Sequence, residues 1–248
     1  MNSYSPTNWP PVTKNLIIIN VLIWLVEYLF PGFANNAILK YGGLHFWGAD
    51  NFNPLQLFTY MFLHAPRSPY HVLFNMFSLW MFGRMMEQVW GSKRFLIYYL
   101  VCGVGAAFVQ EVVWAMTWKH DYLTEIAKLN GMTFDHMKQI VDQAVAAGDG
   151  RFVRGMAEMK SSMMTIGASG AVFGILLGFA FMFPNLLLYL FFIPIPIKAK
   201  YMVAGYAVLE FFFGVGRVAD SVAHFAHLGG MIFGLILLLY WKKKGELL

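Results

Sequence analysis

The sequence predicts an all-α, polytopic membrane protein with six transmembrane helices, and three observations support this prediction. Of the 248 residues, 58% are hydrophobic and 12% are charged, whereas soluble domains are typically about 25% charged. Aromatic residues make up 18% of the chain and 23 residues are glycine, as expected where bilayer interfaces favour Trp and Tyr and helix packing favours Gly. Six apolar stretches each approach the ~20 residues that span a bilayer.

These apolar stretches define six predicted helices. They cover residues 14–30, 70–90, 94–117, 163–183, 200–214 and 221–241. Pro194 and Pro196 interrupt the apolar run before the fifth helix, and proline breaks helices, so we interpret that run as an interfacial connection. A single Lys precedes the first stretch and no A-x-A-like site follows it, so we expect this stretch to remain as a helix.

The distribution of Lys and Arg predicts that both termini are cytoplasmic. With the N-terminus inside, the inner segments contain nine basic residues and the short outer loops contain three, as the preference of cytoplasmic loops for positive charge requires. The inner residues are Lys14, Arg84, Lys93, Arg94, Lys198, Lys200 and Lys242–Lys244, and the outer residues are Lys40, Arg67 and Arg217. This topology accounts for the net charge of +5, and we expect no nucleic-acid partner.

We interpret residues 1–248 as one membrane domain with an outer insertion at about 118–160, between the third and fourth predicted helices. Thr133 is suited to cap a helix within it, and the GDG sequence at 148–150 would end that helix. The apolar face would contain Phe134, Met137, Ile140, Val141, Ala144 and Val145. We expect this amphipathic segment to rest on the membrane surface or on neighbouring helices; a small soluble subdomain is the alternative.

Four polar residues inside the predicted helices are candidate functional residues: His71, Asn75, Ser169 and His227. Polar groups within membrane spans are costly and often functional. The second, fourth and sixth helices run from outside to inside, so these residues occupy one depth band, roughly 3–10 Å below each helix's outer end at ~1.5 Å per residue. His71 and Asn75, four residues apart, share a helix face.

Glycine spacing predicts close packing between the fourth and sixth helices. The two glycine ridges are Gly170, Gly174 and Gly178 on the fourth helix and Gly230 and Gly234 on the sixth. Such ridges let helix backbones approach closely. Ser169 and His227 adjoin these ridges, so we expect them to lie within hydrogen-bonding distance.

These residue types are suited to nucleophilic catalysis, because a serine hydroxyl needs a base and neutral imidazole is the usual one. Asp220 is seven residues before His227 and near the water interface, so we predict a dyad and no acidic third member. His71 and Asn75 offer hydrogen-bond donors to an oxyanion. Each such donor contributes about 3–4 kcal/mol of transition-state stabilisation.

Each candidate also has an ordinary structural explanation when taken alone. GASG is typical of helix packing, His71 and Asn75 of interhelical hydrogen bonds, and His227 of a buried core histidine. HExxH and GxGD are absent, and no carboxylate matches the depth of the histidines, so we expect no metal or other cofactor. A transporter is an alternative function, with Glu27 and Glu210 as candidate residues, although each lies near a helix end.

Four motifs in order, HVLFN, FGRMMEQVWGSKRFLIYY, GASGAVFG and AHLGGMIFG, resemble the rhomboid intramembrane serine proteases. The resemblance implies that Ser169 is the nucleophile, that His227 is the base and that His71 and Asn75 support the oxyanion. It implies transmembrane substrates, lipid contact and a bacterial plasma membrane location. A non-catalytic rhomboid-like protein that binds membrane helices is a further alternative.

The resemblance also concerns residues outside the candidate site. Gly83, Arg84 and Glu87 correspond to a structural motif of the family, and Phe173 lies where some members stack a Tyr on the histidine. The chain has Leu55 and Gln56 where a Trp-Arg pair is often seen in the first outer loop. We therefore expect scaffold roles for the first three, stacking by Phe173, and altered contacts in that loop.

Overall fold

Helices form most of the chain in the computed structural model, which describes residues 9–190, 193–216 and 223–247. The helices are α1 (Pro11–Leu29), α2 (residues 69–90), α3 (Ser92–Leu129), α4 (Phe134–Ala146), α5 (Gly150–Ser162), α6 (Ser169–Met182), α7 (Ala199–Gly216) and α8 (His224–Lys243). Helix α2 comprises Pro69–Ser78, a π-helical turn at Leu79–Gly83, and Arg84–Trp90. Short helical turns occupy Pro31–Phe33, Ala34–Leu39, Lys40–Gly42, Gln56–Thr59 and Tyr60–Phe62.

The six predicted membrane helices correspond to α1, α2, α3, α6, α7 and α8. Among the described residues, α1, α3 and α8 are long and apolar enough to cross a bilayer, and α6 is a shorter apolar helix. The prediction of an integral membrane protein agrees with these helices, whereas the count of six spans stays a prediction. Arg217, Asp220 and the predicted start of the sixth helix at 221 lie outside the described residues.

Two small antiparallel sheets modify the all-α prediction. Strand β1 (Leu44–His45) pairs with β2 (Met164–Thr165), and β3 (Leu187–Leu190) pairs with β4 (Ile193–Lys198). The second pair is the predicted interfacial connection, with Leu187 opposite Lys198. Its prolines lack the N–H that a helix requires, and strand pairing satisfies part of the remaining backbone groups instead.

Helix α3 is longer than the sequence predicts, because it continues past residue 117 to Leu129 over 38 residues. At 1.5 Å per residue it is about 57 Å long, well beyond the ~30 Å hydrocarbon thickness. Helices α4 and α5 pack on this extension around a small apolar cluster separate from the main core. The cluster's buried residues are Tyr122, Leu123, Ala127, Met137 and Val141.

At residues 118–160, the helices therefore pack on the neighbouring α3 around an apolar cluster of their own, which agrees with the expected contact with neighbouring helices. The single-domain interpretation and the position of this region relative to the membrane stay predictions. The predicted start and end of the helix within this region are confirmed. Thr133 caps α4 and accepts a hydrogen bond from the backbone N–H of His136. The GDG sequence separates α4 from α5, and Gly148 has the positive φ of 77° that favours glycine.

The predicted glycine ridge lies where α6 meets α8 and α3. A Cβ on Gly230 would overlap the carbonyl group of Gly170, and one on Gly174 would lie 3.0 Å from the carbonyl oxygen of Gly230. Helix α3 closes the other side, where Ala106 faces Gly170 and Cys102 faces Gly174. The predicted close contact between glycines of the two helices is confirmed for Gly170, Gly174 and Gly230. Helix α3 also packs against Gly170 and Gly174.

The buried Glu87 links the cytoplasmic end of α2, in the predicted orientation, to α1. Its carboxylate accepts hydrogen bonds from the backbone N–H groups of Val12 and Thr13 at 2.9 and 2.7 Å, from the Thr13 hydroxyl, and from Ser92. These N–H groups belong to the first turn of α1, where a helix has unpaired donors and a positive dipole end. The predicted scaffold role is confirmed for Glu87.

Gln56 organises the first outer loop. Its amide oxygen accepts from the backbone N–H groups of His45 and Asn53, and its nitrogen donates to the carbonyl oxygen of Asn51. Leu55 beside it is 71% exposed. The contacts of this loop are therefore made by a buried glutamine, while its neighbour Leu55 is exposed.

We expect Gly230→Ala to lower the free energy of unfolding by about 1–3 kcal/mol, because the added methyl group would push α8 away from α6. Thermal unfolding in detergent measures this change. Gly205→Ala is the matched control: a Cβ there has nothing within 4 Å, so the exposed helix should be unchanged or gain up to about 1 kcal/mol. Equal stability of the two variants would contradict the packing described here.

Candidate active site

Ser169 is the first residue of α6, so the prediction that this helix begins at 163 is wrong. Residues before it are extended, with β2 at Met164–Thr165 and a φ of 131° at Gly167. The backbone N–H of Gly167 donates to the carbonyl oxygen of Tyr60 at 3.0 Å. Ser169 therefore lies at the helix N-terminus, next to unpaired N–H groups and the positive end of the dipole.

The side chain of His227 reaches Ser169 across the contact between α8 and α6. Its Nε2 lies 2.7 Å from the Ser169 Oγ, a hydrogen-bonding distance. The ring of Phe173 stacks on His227 with centroids 4.2 Å apart and planes 4° from parallel. The expected stacking by Phe173 is confirmed, and it fixes the plane of the imidazole ring.

Glu210 on α7 completes a line of hydrogen bonds that sequence reasoning missed. Its Oε2 lies 2.9 Å from His227 Nδ1 and 2.7 Å from His224 Nδ1. The sequence places Glu210 near a helix end, but α7 continues to Gly216 and the Glu210 side chain is only 14% exposed. The sequence does contain a signal for this role, because a glutamate inside a predicted membrane helix is unusual and often functional.

The same three side chains are also suited to hold a divalent cation. The candidate ligand atoms of Glu210, His224 and His227 lie within 4.8 Å of one another, and two imidazoles with one carboxylate are a common zinc-ligand set. This corrects the expectation that no carboxylate matches the depth of the histidines. The hydrogen bonds from both Nδ1 atoms to Glu210 account for the arrangement without an ion.

His71 lies on the other side of Ser169. A Cβ on Gly167 would be 2.8 Å from His71 Nε2 and 3.7 Å from Ser169 Oγ, so both atoms border the same small space. His71 Nδ1 accepts a hydrogen bond from the backbone N–H of Ala65 at 3.3 Å. In the neutral ring the proton is therefore on Nε2, which becomes a donor at the edge of this small space.

Asn75 is buried one turn below His71. Its Nδ2 donates to the carbonyl oxygen of His71 at 2.9 Å, which uses one of the two amide N–H groups. Both predicted oxyanion residues thus line the same cavity as Ser169.

His64 packs against the outer side of His71, with ring centroids 5.0 Å apart. Burial, together with the neighbouring His71, lowers the pKa of His64 to about 3, so this ring stays neutral and adds no charge beside the candidate site. The backbone N–H of His64 donates to Glu27 Oε2 at 3.2 Å. Glu27, proposed as a transport residue, thus holds the loop above the site.

A cavity of about 690 Å³ opens onto these side chains. His71, Asn75, Ser169 and His227 all line it, and Phe74, Leu176 and Tyr206 contribute apolar walls. It is large enough for several residues of an extended peptide, with the serine hydroxyl exposed to the interior. The arrangement is suited to acyl transfer, because a nucleophile, a base and adjacent donors face one space.

Together, the helical membrane fold and this site define a membrane protein with a serine–histidine pair at the start of two packed helices. Comparison with known proteins identifies its family. The family model of the Rhomboid domain matches residues 51–119 and 135–244, well over half of the chain, so the chain belongs to the rhomboid family. The unmatched residues in between include the end of the α3 extension and the turn into α4.

The chain is also similar, over a shorter region, to a protein from a plant. Over 98 residues the chain is 30% identical to "Rhomboid-like protein 11, chloroplastic" of Arabidopsis thaliana. The similar region covers 40% of this chain and 32% of that protein, so the chain matches about a third of the relative's length.

We expect Gly167→Ala to lower the free energy of unfolding by about 2 kcal/mol or more, since a Cβ there meets both an unfavourable φ and the ring of His71. Gly148→Ala separates the two effects, because Gly148 also has a positive φ but has nothing within 4 Å of the added Cβ. That control should lose only about 1 kcal/mol. Equal losses in thermal unfolding would show that contact with His71 is unimportant.

Proposed function

We propose that this protein is an intramembrane serine endopeptidase that cleaves transmembrane helices of membrane-protein substrates near the outer face of the bilayer. The observation that carries the proposal is the 2.7 Å separation of Ser169 Oγ and His227 Nε2 beside a cavity that both side chains line. Membership of the rhomboid family supports the same conclusion.

The reaction follows from the positions of these atoms. His227 Nε2 takes the Ser169 hydroxyl proton while Oγ bonds to the scissile carbonyl carbon, whose π electron pair moves to its oxygen. The tetrahedral intermediate collapses, the C–N bond breaks, and the leaving amine takes the proton from Nε2. Water, activated by the same nitrogen, then hydrolyses the acyl-enzyme and releases Ser169.

The oxyanion would form beside the N-terminus of α6. The Nε2–H of His71, the amide of Asn75 and the backbone N–H of Ser169 are the candidate donors. Donors fixed before the reaction are effective because they need no reorganisation as charge develops. The positive end of the α6 dipole adds to this stabilisation.

The proposed topology has six membrane-crossing helices in one domain, with both termini cytoplasmic in a bacterial plasma membrane. Ser169 then lies near the outer face, where water reaches the site within one or two helical turns. Substrates would be single-pass helices with helix-destabilising residues, because an intact helix hides its carbonyl groups in backbone hydrogen bonds. Helix α7 would shift to admit them, and lipid would cover the remaining apolar faces.

A fluorophosphonate probe applied to the detergent-solubilised protein tests the nucleophile. We expect covalent labelling of the wild type and loss of both labelling and model-substrate cleavage in Ser169→Ala and His227→Ala, because one removes the attacking oxygen and the other its base. Ser78→Ala is the matched control, since Ser78 lines the same cavity without a part in the proposed chemistry.

Two results would defeat this proposal. A wild type that neither labels nor cleaves would favour a non-catalytic protein that binds membrane helices. Cleavage that persists in Ser169→Ala would show that another residue is the nucleophile. A transporter would require solute flux into proteoliposomes that is independent of Ser169.

The oxyanion donors have a separate test in cleavage kinetics. We expect His71→Ala to lower kcat by about 10²- to 10³-fold with little change in KM, since its donor acts on charge that develops only in the transition state. Asn75→Ala should have a smaller effect, because part of its amide is already bonded to the His71 carbonyl. A change in KM alone would instead indicate that these residues bind substrate.

A further inference from the structure

We infer that Glu210 is a positioning residue for His227, so that the site operates as a Ser169–His227–Glu210 triad built from three helices. The inference rests on the proposed function and deepens it. It follows from one continuous line of contacts: Ser169 Oγ to His227 Nε2 at 2.7 Å, and His227 Nδ1 to Glu210 Oε2 at 2.9 Å.

The carboxylate determines which imidazole nitrogen carries the proton. A base that receives the serine proton on Nε2 must carry its existing proton on Nδ1. An ionised carboxylate acts only as a hydrogen-bond acceptor. Glu210 Oε2 therefore favours the His227 tautomer that is protonated on Nδ1, and it also stabilises the imidazolium that forms after proton transfer. Phe173 fixes the ring plane from one face, whereas Glu210 fixes the rotation within that plane.

A second hydrogen bond stabilises the buried carboxylate of Glu210. His224 Nδ1 lies 2.7 Å from the same Oε2, so two imidazole donors converge on one oxygen of a side chain that is 14% exposed. Buried carboxylates are stable only when such donors compensate for lost hydration. His224 thus supports Glu210 as Glu210 supports His227.

The three residues of the triad lie on three different helices, and Glu210 belongs to α7. Glu210 and Gly214, four residues apart on α7, face α8, where a Cβ on Gly214 would lie 2.9 Å from the Phe225 ring. Ser169 and His227 belong to α6 and α8. The orientation of the base therefore depends on the position of α7. A shift of α7 that admits substrate would separate Glu210 from His227, so α7 has to return to α8 before the reaction.

Cleavage kinetics of Glu210→Gln and Glu210→Asp in detergent distinguish positioning from packing. We expect Glu210→Gln to lower kcat by at least about 10²-fold with KM within about twofold, because an amide does not enforce the Nδ1–H form. Glu210→Asp should retain more activity than Glu210→Gln, since it keeps the charge despite its shorter side chain. A packing role would give the opposite order, because Gln matches the shape of Glu.

Imidazole ¹⁵N spectra provide a readout that does not depend on cleavage. The wild type should show His227 protonated on Nδ1, and Glu210→Gln should shift the population toward the Nε2–H form. The matched control is Glu111→Gln, another buried carboxylate on a membrane helix, which accepts from the Trp47 backbone N–H. The glutamine retains that acceptor, so kcat and the His227 spectrum should stay unchanged, and thermal unfolding should show both variants folded.

Each result has a defined consequence. A wild type that neither labels nor cleaves defeats the proposed function, whereas an active wild type with equally active Glu210→Gln defeats only the role of Glu210. Activity that persists after dialysis against EDTA supports the hydrogen-bonded triad. Loss of activity with EDTA and recovery with Zn²⁺ would overturn it, because Glu210, His224 and His227 would then be metal ligands.

Discussion

The contact between Gly170 on α6 and Gly230 on α8 is the constraint on which the candidate site depends. A side chain at residue 230 would occupy the position of the Gly170 carbonyl group, so the two backbones touch. Ser169 adjoins Gly170, and His227 precedes Gly230 by three residues on the same helix. The 2.7 Å distance between Oγ and Nε2 therefore follows from backbone packing, and neither side chain has to be brought in by a flexible loop.

Two buried carboxylates link further helices of the bundle, α1 to α2 and α7 to α8. Glu87 accepts backbone N–H groups of α1, and Glu210 accepts imidazole N–H groups of α8. In an apolar medium each unpaired polar group is costly, so these hydrogen bonds favour the contact of α1 with α2 and of α7 with α8. One carboxylate acts at each end, Glu87 opposite the candidate site and Glu210 within it.

Sequence patterns were sufficient for features that depend on local spacing. Apolar length located the helices, glycine spacing located the contact between α6 and α8, and four polar residues at similar depth located the candidate site. Two features depended on long-range geometry instead. Helix α6 begins at Ser169 because the preceding residues pair with β1 and with Tyr60, and Glu210 faces the histidines because α7 packs on α8. Neither neighbour can be identified from spacing along the chain.

The position of Ser169 at a helix N-terminus gives the proposed hydrolysis two features that a helix interior lacks, an open cavity beside the hydroxyl and unpaired backbone donors. A hydroxyl deep in an apolar helix would have no water and no unpaired backbone donor near it, because helix interiors use their N–H groups internally. Here the extended Gly167 ends the strand segment and α6 starts at the nucleophile itself. The same glycine-rich sequence thus supplies close helix packing, a hydroxyl that lines the cavity and the positive end of a helix dipole, which are three features that the proposed acyl transfer requires.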